Sequence, residues 1–115
     1  GCIKCHSGID PWGIPFESFD AGGLPKPSKV DARSTLPDGT VVIDLIGLKD
    51  YLADERVDQV AFSFMKHLAC YAVGRSLSYN EVAFLQERGL QLKADGYRMQ
   101  DIIRFVIKSD LFLKK

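Results

Sequence analysis

From residue 55 onward, apolar side chains return every three or four positions, a period that commits the second half of the chain to helices rather than sheet. Between residues 55 and 73, Val57, Val60, Ala61, Phe64, Leu68, Tyr71 and Ala72 fall on one stripe. Gly74 stands where that helix should stop, because glycine accepts the left-handed conformation that closes helix ends. Ser78 followed three positions later by Glu81 is a capping-box pattern. It predicts a helix over residues 79–92 with Ala83, Leu85, Leu90 and Leu92 available for burial. Gly96 interrupts that run. A last helix over residues 98–111 is expected to bury Met99, Ile102, Ile103 and Val106.

The first half reads differently. Residues 1–29 carry Pro11, Gly13, Pro15, Gly22, Gly23, Pro25 and Pro27, which predict an irregular segment with one helical turn near residues 16–19. Trp12, Phe16 and Phe19 give that segment apolar side chains to pack. Pro37-Asp38-Gly39, flanked by residues 30–34 and 40–43, predicts a β-hairpin with Val41 and Val42 on its second arm. A short helix over residues 47–52 completes the reading.

At 115 residues the chain suits one compact domain, residues 1–115. Fifteen basic and fifteen acidic residues give zero formal net charge, which argues against bulk attraction to nucleic acid or to an anionic membrane. No run approaches the roughly 20 apolar residues of a transmembrane helix, and no charged start followed by an apolar stretch marks a signal peptide. A chain whose second residue already belongs to a site-forming motif reads as a fragment of a longer protein.

That motif is Cys2-Ile3-Lys4-Cys5-His6, the pattern of c-type haem attachment. Two thiols three positions apart can add to the two vinyl groups of one porphyrin, and the adjacent imidazole is then brought beneath the iron. Three other uses compete. A dithiol redox pair needs a strand leading into a helix, and nothing apolar and β-branched precedes Cys2. Zinc is the sharper rival: His67 and Cys70, three apart on the first long helix, would join Cys2 and Cys5 in a Cys₃His shell. A His directly after the second Cys has no task in such a shell. A Cys2–Cys5 disulfide is the third.

The rest of the chain resembles the C-terminal region of the large cytochromes found chiefly in planctomycetes and related bacteria. There a Cys-x-x-Cys-His motif runs into Ile-Asp-Pro-x-Gly and a Phe-Asp-Ala element, matched here by Ile9-Asp10-Pro11-Trp12-Gly13 and Phe19-Asp20-Ala21. An Asp-Gly turn, a helix ending Tyr-Ala-x-Gly-Arg and a final Ser-Asp-x-Phe follow. Their counterparts are Pro37-Asp38-Gly39, Tyr71-Ala72-Val73-Gly74-Arg75 and Ser109-Asp110-Leu111-Phe112. The resemblance covers nearly the whole chain and implies one covalent haem c. The expected fold class is mainly α, a small cytochrome-c-like helical domain with one short β-hairpin and a Gly/Pro-rich N-terminal segment.

A low-spin electron carrier takes a second axial ligand, commonly His or Met. The chain offers His67 first, Met99 second and Met65 third, and none lies between Ser7 and Phe64. Arg75 suits a haem propionate, because its guanidinium fork matches a carboxylate. Trp12, Phe16 and Tyr71 are candidates to pack on the porphyrin, and Asp10 before Pro11 reads as a turn residue. Cys70 is left as an unpaired thiol.

Two functions follow. One is one-electron transfer with a redox partner protein or with other domains of the parent chain, outside the cytoplasm, in the periplasm or otherwise exported. The other is a five-coordinate haem that binds ligands, senses gas or acts as a peroxidase-like module. No acid–base pair suggests substrate chemistry, so an electron carrier is expected rather than an enzyme.

Overall fold

The computed structural model describes residues 2–114. It is mainly helical, with one two-stranded antiparallel hairpin, as the residue pattern predicts. The backbone groups into two compact units, Gly1–Glu55 and Arg56–Lys115. Among the described residues no helix is long and apolar enough to cross a membrane.

The first unit opens with a helix rather than the expected irregular segment. Helix α1 spans Cys2–Gly13 and runs through Pro11. Pro11 lacks the N–H that would bond the Ser7 carbonyl, and proline also disfavours helical backbone at the preceding residue. Contacts from outside the helix offset that local cost at its C-terminal end. The buried Ser34 hydroxyl donates to the Pro11 carbonyl at 2.7 Å. Trp12 lies against Tyr51, ring centroids 6.2 Å apart, and packs on the core formed by Leu36, Val42, Leu48 and Tyr51. A 3₁₀ turn, Ile14–Phe16, follows and replaces the turn expected at residues 16–19.

Strands β1 (Ser34–Thr35) and β2 (Val41–Val42) pair antiparallel, Ser34 opposite Val42 and Thr35 opposite Val41. The turn between them has its chemistry in Pro37-Asp38-Gly39. Gly39 N–H donates to Leu36 at 2.8 Å, Asp38 accepts from Thr40 N–H at 3.0 Å, and Gly39 sits at φ 88°. That left-handed position is one glycine occupies at no steric cost. Helix α2, Leu45–Glu55, is longer than the expected 47–52 because the Asp44 side chain accepts the Gly47 N–H at 2.8 Å and opens the helix earlier.

The second unit is all helix: α3 (Val57–Val73), α4 (Tyr79–Gly89), α5 (Met99–Lys108) and α6 (Asp110–Leu113). Gly74 closes α3 in the left-handed region at φ 71°. Ser78 and Glu81 form the expected capping box at the start of α4. A 3₁₀ segment, Leu90–Asp95, takes the last turn predicted for that helix, and Gly96 ends it at φ 72°. The predicted last helix is divided at Ser109, whose hydroxyl donates to the Val106 carbonyl at 2.6 Å.

The buried side of α3 is rotated from the expected stripe. Ala61, Met65 and Ala69 are buried, while Val60, Phe64 and Tyr71 are exposed. Small residues at 61 and 69 let α4 and α5 approach α3 closely, so the core follows the small side chains rather than the large ones. Two clusters result: Ala69, Leu85, Val106 and Leu111, and Ala61, Met65 and Ile102. On α5, Ile102 and Val106 are buried as expected, but Met99 and Ile103 are exposed.

Candidate functional site

On an α-helix, residues three and four apart are neighbours. Cys2 therefore stands beside Cys5 and His6 on consecutive turns of α1, and Ile9 continues that face one turn on. Both thiols are free and exposed, as are His6 and Ile9. Indeed α1 buries none of its side chains; only its C-terminal end, at Pro11 and Trp12, is partly covered.

The His6 ring is held. Its Nδ1 lies 3.0 and 3.2 Å from the two carboxylate oxygens of Asp10, one helical turn further along. An ionised carboxylate only accepts, so Nδ1 is the donor, and in the neutral ring the lone pair then lies on Nε2. Thioether formation needs two accessible thiols, and axial ligation needs an unprotonated imidazole nitrogen. Helix α1 offers both, so Cys2, Cys5 and His6 fit a haem c.

Asp10 is the residue that sequence reasoning missed. Read as a turn former before Pro11, it is a helical side chain whose partner is His6. The signal was the four-residue spacing, which carries weight only once residues 2–13 are known to be helical.

The remaining candidates are dispersed. Trp12 belongs to the small core of the first unit, and Phe16 is exposed just beyond α1. In the second unit Tyr71 is 87% exposed on α3. Arg75 spends its guanidinium on Glu81, with contacts of 2.7 and 2.9 Å, and also donates to the Ser76 carbonyl at 3.0 Å. This fork, together with the Ser78 backbone N–H, holds the Glu81 carboxyl down to about 2. Arg75 therefore has a structural task, fastening the α3–α4 connection to the α4 cap.

His67 is exposed on α3, and its Nδ1 donates to the Ser63 carbonyl at 2.7 Å, which leaves the lone pair on Nε2. It shares an exposed flank of α3 with Val60, Phe64 and Tyr71, at helical spacing. Met99 is 53% exposed on α5, in line with the exposed Ile103 and Ile107. Met65, by contrast, is sealed in the core, where a side chain on Gly89 would come within 2.7 Å of its sulfur.

Cys70 is a free, half-buried thiol. Of the alternative zinc set, Cys2 and Cys5 belong to the first unit, His67 and Cys70 to the second. Among the described residues, no group of three or more His, Cys, Asp or Glu side chains could hold a metal ion.

No curated protein and no solved structure matches the chain. One family model does, that of a protein of unknown function (DUF1585), over residues 38–112. Its span takes in the hairpin turn and all four helices of the second unit, and starts after Cys2, Cys5 and His6. The domain is one found in planctomycete-type cytochrome-like proteins. By this match over well more than half its length, the chain belongs to the DUF1585 family.

Proposed function

We propose that the chain carries one haem c, bonded through Cys2 and Cys5 and ligated by His6, and that it transfers single electrons. The observation behind this reading is the arrangement on α1: two free thiols and an imidazole on one exposed face, the imidazole held through Nδ1 by Asp10. Bound there, a haem supplies reversible one-electron iron chemistry, and the protein's part is to hold and tune it. Cys2 and Cys5 tether the group through changes of oxidation state. Asp10 orients His6, and Ile9 provides apolar surface beside it.

The first unit contains no His or Met apart from His6. Of the three candidates for a sixth ligand Met65 is buried, so His67 and Met99 are the ones proposed. His67 ranks first, because the Ser63 carbonyl accepts from Nδ1 and so leaves Nε2 as the ligating atom of the neutral ring. A five-coordinate, ligand-binding haem is the second reading, which applies if neither side chain reaches the iron. Partners on the electron-transfer reading are a redox protein or other domains of the parent chain. The home is periplasmic or otherwise exported, since haem is attached to this motif outside the bacterial cytoplasm.

Absorption spectra of oxidised and reduced protein, with and without carbon monoxide, test the reading. A sharp reduced α band unchanged by carbon monoxide is the expected result for a six-coordinate carrier. A high-spin reduced spectrum that shifts with carbon monoxide establishes the second reading instead. Replacing His67 and Met99 in turn then identifies the ligand by which change alters the spin state.

A further inference from the structure

We infer that Asp10 is a positioning residue that lowers the reduction potential of the iron ligated by His6. The inference rests on the haem reading above and goes beyond it, since attachment needs only the two thiols and the imidazole.

The geometry is specific. Asp10 presents both carboxylate oxygens to one ring nitrogen, at 3.0 and 3.2 Å, from the next turn of the same helix. The contact depends on α1 staying helical through residue 10, the position that the following proline disfavours. Two tertiary contacts keep it so: the Ser34 hydroxyl on the Pro11 carbonyl, and Trp12 on the Leu36–Tyr51 cluster. The fold thus maintains a helical turn that local propensity alone would give up, and that turn carries Asp10 to His6.

As a surface hydrogen bond the contact contributes little to folding, since both side chains are more than half exposed. Its consequence is for the ligand. A carboxylate accepting from Nδ1–H draws the proton outward and gives the ring imidazolate character, which raises the basicity of Nε2. A more basic axial ligand stabilises ferric iron over ferrous iron, as does the carboxylate's own negative charge. Hydrogen bonding behind the axial ligand is one of the means by which a protein sets haem potential.

The test uses the full chain with haem attached, its loading verified by intact mass. Asp10→Asn keeps the size and removes the charge, and its reduction equilibrium is expected to shift at least tenfold toward the ferrous form. For a one-electron couple that is about 59 mV upward. Asp10→Glu keeps a carboxylate within reach one turn away and is expected to stay within threefold of the parent. A fully loaded Asp10→Asn protein with an unchanged potential overturns the inference and leaves the haem reading standing. A parent chain that takes up no haem fails the haem reading itself.

A second readout needs no variant. In the reduced parent protein the His6 Nδ1 proton should resonate well downfield of an imidazole proton bonded to a carbonyl or to water. A proton at the ordinary position overturns the pairing even if Asp10→Asn cannot be loaded.

Discussion

The two units differ in how their buried cores are built. In the second unit Leu85 and Val106 are completely buried and two clusters join α3, α4, α5 and α6, while Val60, Phe64, Tyr71, Met99 and Ile103 stay exposed. The first unit has one core cluster, Leu36, Val42, Leu48 and Tyr51, and it leaves Ile3, Ile9, Phe16 and Leu24 exposed along α1 and the loop after it. A helix bundle of this kind gains stability from its own packing. Both units are small, and a unit of about 55–60 residues buries a limited share of its surface, for which small scaffolds often draw on a metal or disulfide. The contrast is sharpest at α1, which buries none of its residues, against α3, α4 and α5, each of which buries at least two.

Core truncation should give the largest effect. Leu85→Ala removes a side chain with no solvent exposure, and is expected to cost about 2–5 kcal/mol, measured as a lowered urea midpoint of the helical unit. The His6–Asp10 pair, which belongs to the other unit, should be untouched. A cost below about 1 kcal/mol, or equal damage to both units, breaks the contrast.

A smaller effect is expected in the first unit. Ser34→Ala leaves the Pro11 carbonyl without its donor, at a cost of about 1–3 kcal/mol. The change should appear as faster amide exchange along α1, with α3 to α6 unaffected. Unaltered exchange in α1 would mean that some contact other than Ser34 holds the helix past Pro11.

The α4 cap sharpens the comparison by pH. The Glu81 carboxyl is held at about 2 by Arg75 and the Ser78 N–H, below its ordinary value near 4.5. A depressed folded value means that the ionised form stabilises the fold. The contribution is therefore complete above about 4.5 and is lost as pH falls toward 2. Acid titration should loosen the start of α4 over that window, and Glu81→Gln should flatten the dependence. An unchanged acid profile in the variant would show that the Arg75–Glu81 fork adds nothing to stability.

Tyr97 sets a matching limit at high pH. Burial and its hydrogen bond to Asp58 push the phenol up to about 12. Its share of stability is intact below about 10 and declines as pH rises through 12. An ultraviolet phenolate titration that resolves a tyrosine ionising near 12 is the expected result, and Asp58→Asn should bring it down.

What could be read from residues alone follows the reach of each signal. Gly74, the Ser78–Glu81 box, the Pro37-Asp38-Gly39 turn and Gly96 are local devices, and each sits where its chemistry implied. Helix α1 was obscured because Pro11 and its neighbouring glycines mark a break, while the contacts that preserve the helix come from Ser34 and the hairpin core, more than 20 positions away. The buried face of α3 was misjudged for a related reason: large apolar residues dominate the pattern, yet Ala61 and Ala69 are where the helices meet. In the candidate site, Cys2, Cys5 and His6 were legible from spacing, whereas Asp10 became so only through the helix. Arg75 suits a propionate by the shape of its guanidinium, and its contact with Glu81, six positions on, is visible only in the fold.

The central claim is the covalent haem on Cys2 and Cys5. Its most direct test is the intact mass of this chain after export into a periplasm equipped for haem attachment. A product heavier by one haem, unmodified when both cysteines are replaced by alanine, is the predicted result. A colourless chain of unmodified mass, made alongside a control cytochrome that is fully loaded, contradicts it.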